Sequence, residues 1–188
     1  VSKESSTLMT FEKKILAEMP KCYALGMFEG EDASSFLAAV EKDGPIRRFT
    51  LDGEPLETVA PGPGGVMTIT QVPGRKDQFL ATRKFFSPNF GGDDAAIASY
   101  TKQADGSWSE QILCDLPYVH RFGILKAADG QLWVLACSIK GGAETGVKDD
   151  WRTPGAVWAA PLSDNLEQYT ADNQLKLTCV ANYQVQNH

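Results

Sequence analysis

Internal repetition constrains this chain more than any other feature of its 188 residues. Four segments align: FEKKILAEMPKCYALGMFEGED from Phe11, EPLETVAPGPGGVMTITQVPG from Glu54, WSEQILCDLPYVHRFGILKAADG from Trp108 and LKLTCVANYQVQNH from Leu175. Each reads as a strand of mixed polarity, then a Pro- or Gly-marked corner, then a more apolar strand. In the first three a turn with Gly follows. The first and third copies share length and pattern, ILAEMPKCYALGMF against ILCDLPYVHRFGIL. Such a chain builds one supersecondary unit repeatedly, each unit burying its apolar faces against its neighbours.

Between these segments two further strands recur: SSFLAAV then PIRRFTLDG, DQFLATRKFF then AAIASYTKQADG, and QLWVLACSI then GAVWAAPLSDN. Their β-branched and aromatic content, with Asp-Gly turns at Asp52-Gly53, Asp105-Gly106 and Asp129-Gly130, predicts hairpins, and no stretch carries a helical period. Four strands in roughly 40 to 60 residues is the size of a β-propeller blade. The expectation is an all-β partial propeller of about three four-stranded antiparallel blades. Residues 1–19 form a leader, with Phe11–Met19 a strand closing another blade. Blade one is then 20–60, blade two 61–116 and blade three 117–180, and 181–188 begin the next inner strand. A β-sandwich explains the alternation of strands and turns but not the self-similarity. Propellers have 4 to 8 blades, so completion is expected from a second chain or the rest of a longer precursor, or from a homodimer. The first is preferred because the sequence stops within a strand.

ADGSWSEQIL and ADGQLWVLA resemble degenerate Asp-box hairpins of sialidase-like propellers. The spacing of Ser, Asp, Gly and Trp departs from a full Asp box, and the match covers only short turns in two blades. The resemblance implies carbohydrate handling, since many such propellers act on glycans. It carries over no catalytic residue.

Charge and cysteines narrow the partners. A net charge of −6 and a pI near 4.9 argue against a nucleic-acid or anionic-membrane surface, which needs clustered Lys and Arg. No apolar run approaches the roughly 20 residues of a membrane span, and VSKESSTLMT lacks a signal-peptide core. Cys22, Cys114, Cys137 and Cys179 stand singly among apolar residues, which predicts buried free thiols, a reducing compartment and a cytoplasmic location. Secretion after removal of a signal stays open.

In a propeller the corners between blades and the loops between second and third strands share the face around the channel mouth. His120 and Arg121 fall at such a corner, so the polar pair points into a funnel. His188 takes the matching place in the next blade, and with His120 can hold a divalent metal. Two long second-to-third-strand loops carry acidic pairs, Asp93-Asp94 and Asp149-Asp150, able to supply a general acid, a base or hard-cation ligands. Trp151 offers a face for a sugar ring, and Arg152 a bidentate carboxylate partner. Arg83, Lys84 and Lys140 end strands at the same rim and, with Arg121, form a cationic floor. The catalytic candidates are thus His120, Asp149 and Asp150, and the ligand-binding candidates are Arg121, Trp151, Arg152, Lys84, Asp93 and Asp94. The expected function is binding, with or without processing by a hydrolase or lyase, of a carbohydrate or related polar small molecule. A non-catalytic scaffold for protein interaction is the alternative. Each polar residue also has a plainer reading: a hydrogen-bonded structural His, solvated acidic pairs, and Trp108, Trp133 and Trp158 as inter-blade core.

Overall fold

The computed structural model describes residues 11–86, 91–141 and 151–183. These form three four-stranded antiparallel meanders. Blade one holds β1 (Cys22–Glu29), β2 (Ser34–Val40), β3 (Ile46–Thr50) and β4 (Pro55–Ala60). Blade two holds β5 (Ile69–Gln71), β6 (Gln78–Arg83), β7 (Ala96–Lys102) and β8 (Trp108–Asp115). Blade three holds β9 (Val119–Lys126), β10 (Leu132–Lys140), β11 (Pro154–Pro161) and β12 (Thr178–Tyr183). First strand lies against first strand (β1 on β5) and fourth against fourth (β4 on β8), the radial stacking of propeller blades. The chain is a partial propeller. Among the described residues no helix is long and apolar enough to cross a membrane.

The second strands show why the blades stack. Phe36-Leu37-Ala38, Phe79-Leu80-Ala81 and Val134-Leu135-Ala136 occupy one register, for the three leucines pair with Gly26, Thr70 and Gly123 of the first strands. Successive side chains of a strand point to opposite faces. Leu37 and Phe79 therefore meet in the core between blades one and two, and Leu80 and Val134 in the core between blades two and three. Blade two is buried on both faces. The end blades each leave a face open, and Leu135, third in the leucine series, is 37% exposed where Leu37 and Leu80 are fully buried.

Local chemistry repeats with equal fidelity. The three Asp-Gly turns share one bonding pattern: Gly53, Gly106 and Gly130, all at positive φ, donate to the carbonyls of Thr50, Gln103 and Ala127. At the corners, Lys21, Gly65 and Tyr118 are left-handed, with φ of 53, 66 and 57°. The carbonyl of each accepts a bond from the end of its blade's second strand, from Glu41, Phe85 and Ile139 respectively. That shared contact fixes the angle at which every first strand enters the channel.

Blades one and two are also joined by charge. Arg48 is 1% exposed and donates from Nε to Ser35 Oγ at 2.8 Å, from Nη1 to Glu57 at 3.0 Å and from Nη2 to Asp32 at 2.6 Å. Glu57 in turn accepts from Lys102 and Trp108 of blade two, each at 3.0 Å. Burial pushes the Glu57 carboxyl up, but the donors from Trp108, Lys102 and Arg48 outweigh it and leave it below its ordinary value. The Arg48 bond holds Asp32 at about 2. With an unfolded value of about 3.9, Asp32 contributes stability that is full above about pH 4 and lost as pH falls toward 2. Urea unfolding of Asp32→Asn should show a shallower loss between pH 5 and 2. At pH 7 the substitution should cost under about 1 kcal/mol, because the Asp32 side chain is 61% exposed and water screens the pair.

Several expectations are corrected. Residues 11–19 pair with no strand among the described residues, so they form no ladder here. The last strand runs to Tyr183 as the fourth of blade three, so 181–183 do not open a new blade, and 184–188 lie outside the described residues. Asn165 caps a short 3-10 turn, Leu166–Gln168, that the sequence reading lacked. Trp108 and Trp158 pack on the inter-blade cores, whereas Trp133 lies on the open face of blade three, 38% exposed. Of four free cysteines only Cys114 is buried; Cys137 is half-buried, and Cys22 and Cys179 are exposed.

Candidate functional site

Two residues beyond each left-handed corner residue stand Tyr23, Met67 and His120. The three first strands therefore converge here. Tyr23 Oη lies 3.4 Å from His120 Nε2, and the rings meet edge to face at 6.1 Å. Phe85 packs against the other side of the imidazole, at 5.2 Å between centroids. The Arg121 guanidinium lies over the Tyr23 ring at 5.3 Å and donates to the Met67 carbonyl and, at 3.4 Å, to Tyr23 Oη. Thr68 Oγ1 donates to the His120 carbonyl at 3.1 Å, tying blade two to blade three.

Tyr23 and Arg121 are exposed and His120 is half-buried. A hollow of about 370 Å³ opens beside them, lined by Tyr23, Leu25, Met67, Thr68 and Arg121. Burial first, and the Arg121 charge second, hold the His120 imidazole below its ordinary value. It is neutral at pH 7 and can both donate and accept.

A second group lies farther along the rim. Tyr118 is buried, donates to Asp93 Oδ2 at 2.9 Å, and carries Lys140 Nζ over its ring at 4.3 Å. Burial, then the bond to Asp93 and its charge, push the Tyr118 phenol up to about 12. Trp151 closes the other side of Lys140, at 5.1 Å from ammonium to ring centroid. Phe85 stands between the two groups, in ring contact with both Tyr118 and His120.

The cationic floor is therefore corrected. Lys140 is buried between two aromatic rings. Arg83 is tied to Glu110 at 2.6 Å. Lys84 is a half-buried residue at φ 58° whose N–H donates to Gly64. Arg121 alone of these cations reaches the mouth. Asp94 and Arg152 are exposed, and Asp93 is engaged by Tyr118 rather than by His120. Asp149, Asp150 and His188 lie outside the described residues. Among the described residues no group of three His, Cys, Asp or Glu side chains could hold a metal.

Tyr23, Phe85 and Met67 were not expected at the site. For Tyr23 the signal was present, since it stands opposite His120 when the first and third copies are aligned. A larger hollow, about 520 Å³, lies between blades two and three beside Pro117, Trp158, Leu177 and Asn182.

No protein-family model matches the chain, and no curated protein matches it in sequence. Among solved structures it is similar to Kuenenia stuttgartiensis hydrazine synthase, at 10% identity and a TM-score of 0.49, covering 82% of this chain and 41% of that one. A likeness at this level adds nothing to the strand ladders, on which the fold assignment rests.

Proposed function

We propose that this partial propeller binds a carbohydrate or related polar small molecule at the channel mouth, and that the ligand bears a carboxylate. One observation carries the reading: the exposed Arg121 guanidinium lies on the Tyr23 ring beside a neutral imidazole, at the edge of a hollow of about 370 Å³. Small-ligand pockets hold roughly 300 to 1,000 Å³. Arg121 supplies charge-assisted donors for a carboxylate, and His120 with Tyr23 supplies neutral partners for hydroxyls. Binding is favoured over turnover because His120 contacts Tyr23, Phe85 and Thr68, none of them a carboxylate.

Isothermal titration with glucuronate and glucose tests this. Glucuronate should bind more tightly than glucose, and Arg121→Ala should weaken it by about tenfold or more, the cost of a charge-assisted bond. Acidification below the ordinary imidazole range protonates His120, and while glucuronate stays ionised its affinity should rise. His120→Ala should abolish that rise with the melting temperature kept within a few degrees. Equal affinity for the two sugars, or no effect of Arg121→Ala, counts against the reading. A protein-interaction scaffold is favoured by a separate observation, the apolar faces left open at both ends of the arc.

A further inference from the structure

The outer face of blade one repeats, on open surface, a face that blade two buries. Phe36 stacks on Phe49 at 5.2 Å and 14°, as Phe79 stacks on Tyr100 at 5.0 Å and 13°. Leu25 stands opposite Ala38 as Ile69 stands opposite Ala81. Yet Ile69 is 7% exposed and Leu25 66%. A groove of about 400 Å³ runs between Leu25, Met27, Phe36, Leu51 and the N-terminal Leu16.

Leu16 indicates what belongs there. In the alignment of ILAEMPKCYALGMF with ILCDLPYVHRFGIL it matches Leu113 of β8, and the match continues through left-handed Lys21 and Tyr118, mouth residues Tyr23 and His120, and the leucine-facing Gly26 and Gly123. The Leu113 carbonyl accepts a 2.7 Å bond from Leu175, between the third and fourth strands of blade three. The Leu16 carbonyl lies against Gly53, between the third and fourth strands of blade one, so close that a Cβ on Gly53 would stand 2.1 Å from it. The N-terminal segment thus meets blade one at the place where β8, a fourth strand, meets blade three.

We infer that Phe11–Met19 is the fourth strand of a further blade that packs on the open face of blade one. The partner is a three-stranded antiparallel meander outside these 188 residues, with a free outer edge for Phe11–Met19 and an aliphatic row for Leu25 and Phe36. The edge supplies main-chain bonds and the row supplies apolar burial. A second copy of this chain does not fit, because each of its three blades already carries a fourth strand.

The meander of blade two is a ready probe, since Trp108 matches Phe11. Fusing a second copy of residues 61–107 directly ahead of Phe11, in place of residues 1–10, sets three strands of this kind before the segment. Amides within 11–19 should then exchange with solvent at least about tenfold more slowly than in the unfused chain, and Leu16→Asp should remove that protection. Unchanged exchange, protection that survives Leu16→Asp, or a fusion that fails to fold overturns the assignment. The native mass of the unmodified chain gives an independent reading. A single chain of 20.5 kDa is expected, and a closed particle of two copies overturns the choice of partner.

Discussion

Gly65→Ala is expected to lower stability by roughly 3 to 5 kcal/mol in urea unfolding, among the larger losses a single methyl can cause. The left-handed conformation accounts for only about 1 kcal/mol of this, since Lys21 and Tyr118 hold the same conformation at the sister corners. The rest comes from collision. An added Cβ would stand 2.4 Å from the backbone nitrogen of Phe85, and that N–H bonds the Gly65 carbonyl at 3.1 Å. Moving it away also disturbs the adjacent bonds, Lys84 N–H to Gly64 at 2.9 Å and Gly65 N–H to Lys42 at 3.3 Å. Gly106→Ala is the control. Its φ is 86° but nothing lies within 4 Å of the new Cβ, so about 1 kcal/mol is expected. Equal losses at the two positions would mean that conformation, not the approach of blade two's loop, sets the corner.

Repetition made the architecture legible, because three copies of one pattern cannot hide their period. The Phe-Leu-Ala run of β2 and β6 and the Val-Leu-Ala run of β10 place every blade in one register, and the strand boundaries follow. What the sequence could not convey was which repeats have neighbours. Phe11–Met19 reads as a strand on pattern alone, but pattern does not supply a ladder partner. Trp133 reads like Trp108, but no blade among the described residues covers it. At the site, His120 and Arg121 were legible because a polar pair interrupts an apolar strand at a corner. The fates of Arg83 and Lys140 were not, because capture by Glu110 or by two aromatic rings depends on contacts between strands far apart in sequence.

Phe79→Ala and Phe36→Ala, the same change at one register position in successive blades, should differ several-fold in cost. Phe79 is fully buried, stacked on Tyr100 and in edge contact with Phe28 and Trp108 at 6.0 and 5.6 Å. Truncation there removes a ring from a closed core and leaves a cavity, so roughly 3 to 5 kcal/mol is expected. Phe36 keeps its partner Phe49 but has no blade behind it, so truncation forfeits one stacked pair and part of an already hydrated surface, about 1 kcal/mol. Urea unfolding of both variants measures the difference directly. Because the two positions share backbone register, strand and aromatic partner type, the difference reports the missing neighbour alone. In the fusion carrying residues 61–107 ahead of Phe11, the cost of Phe36→Ala should climb toward that of Phe79→Ala, as the half-open ring becomes an inter-blade core.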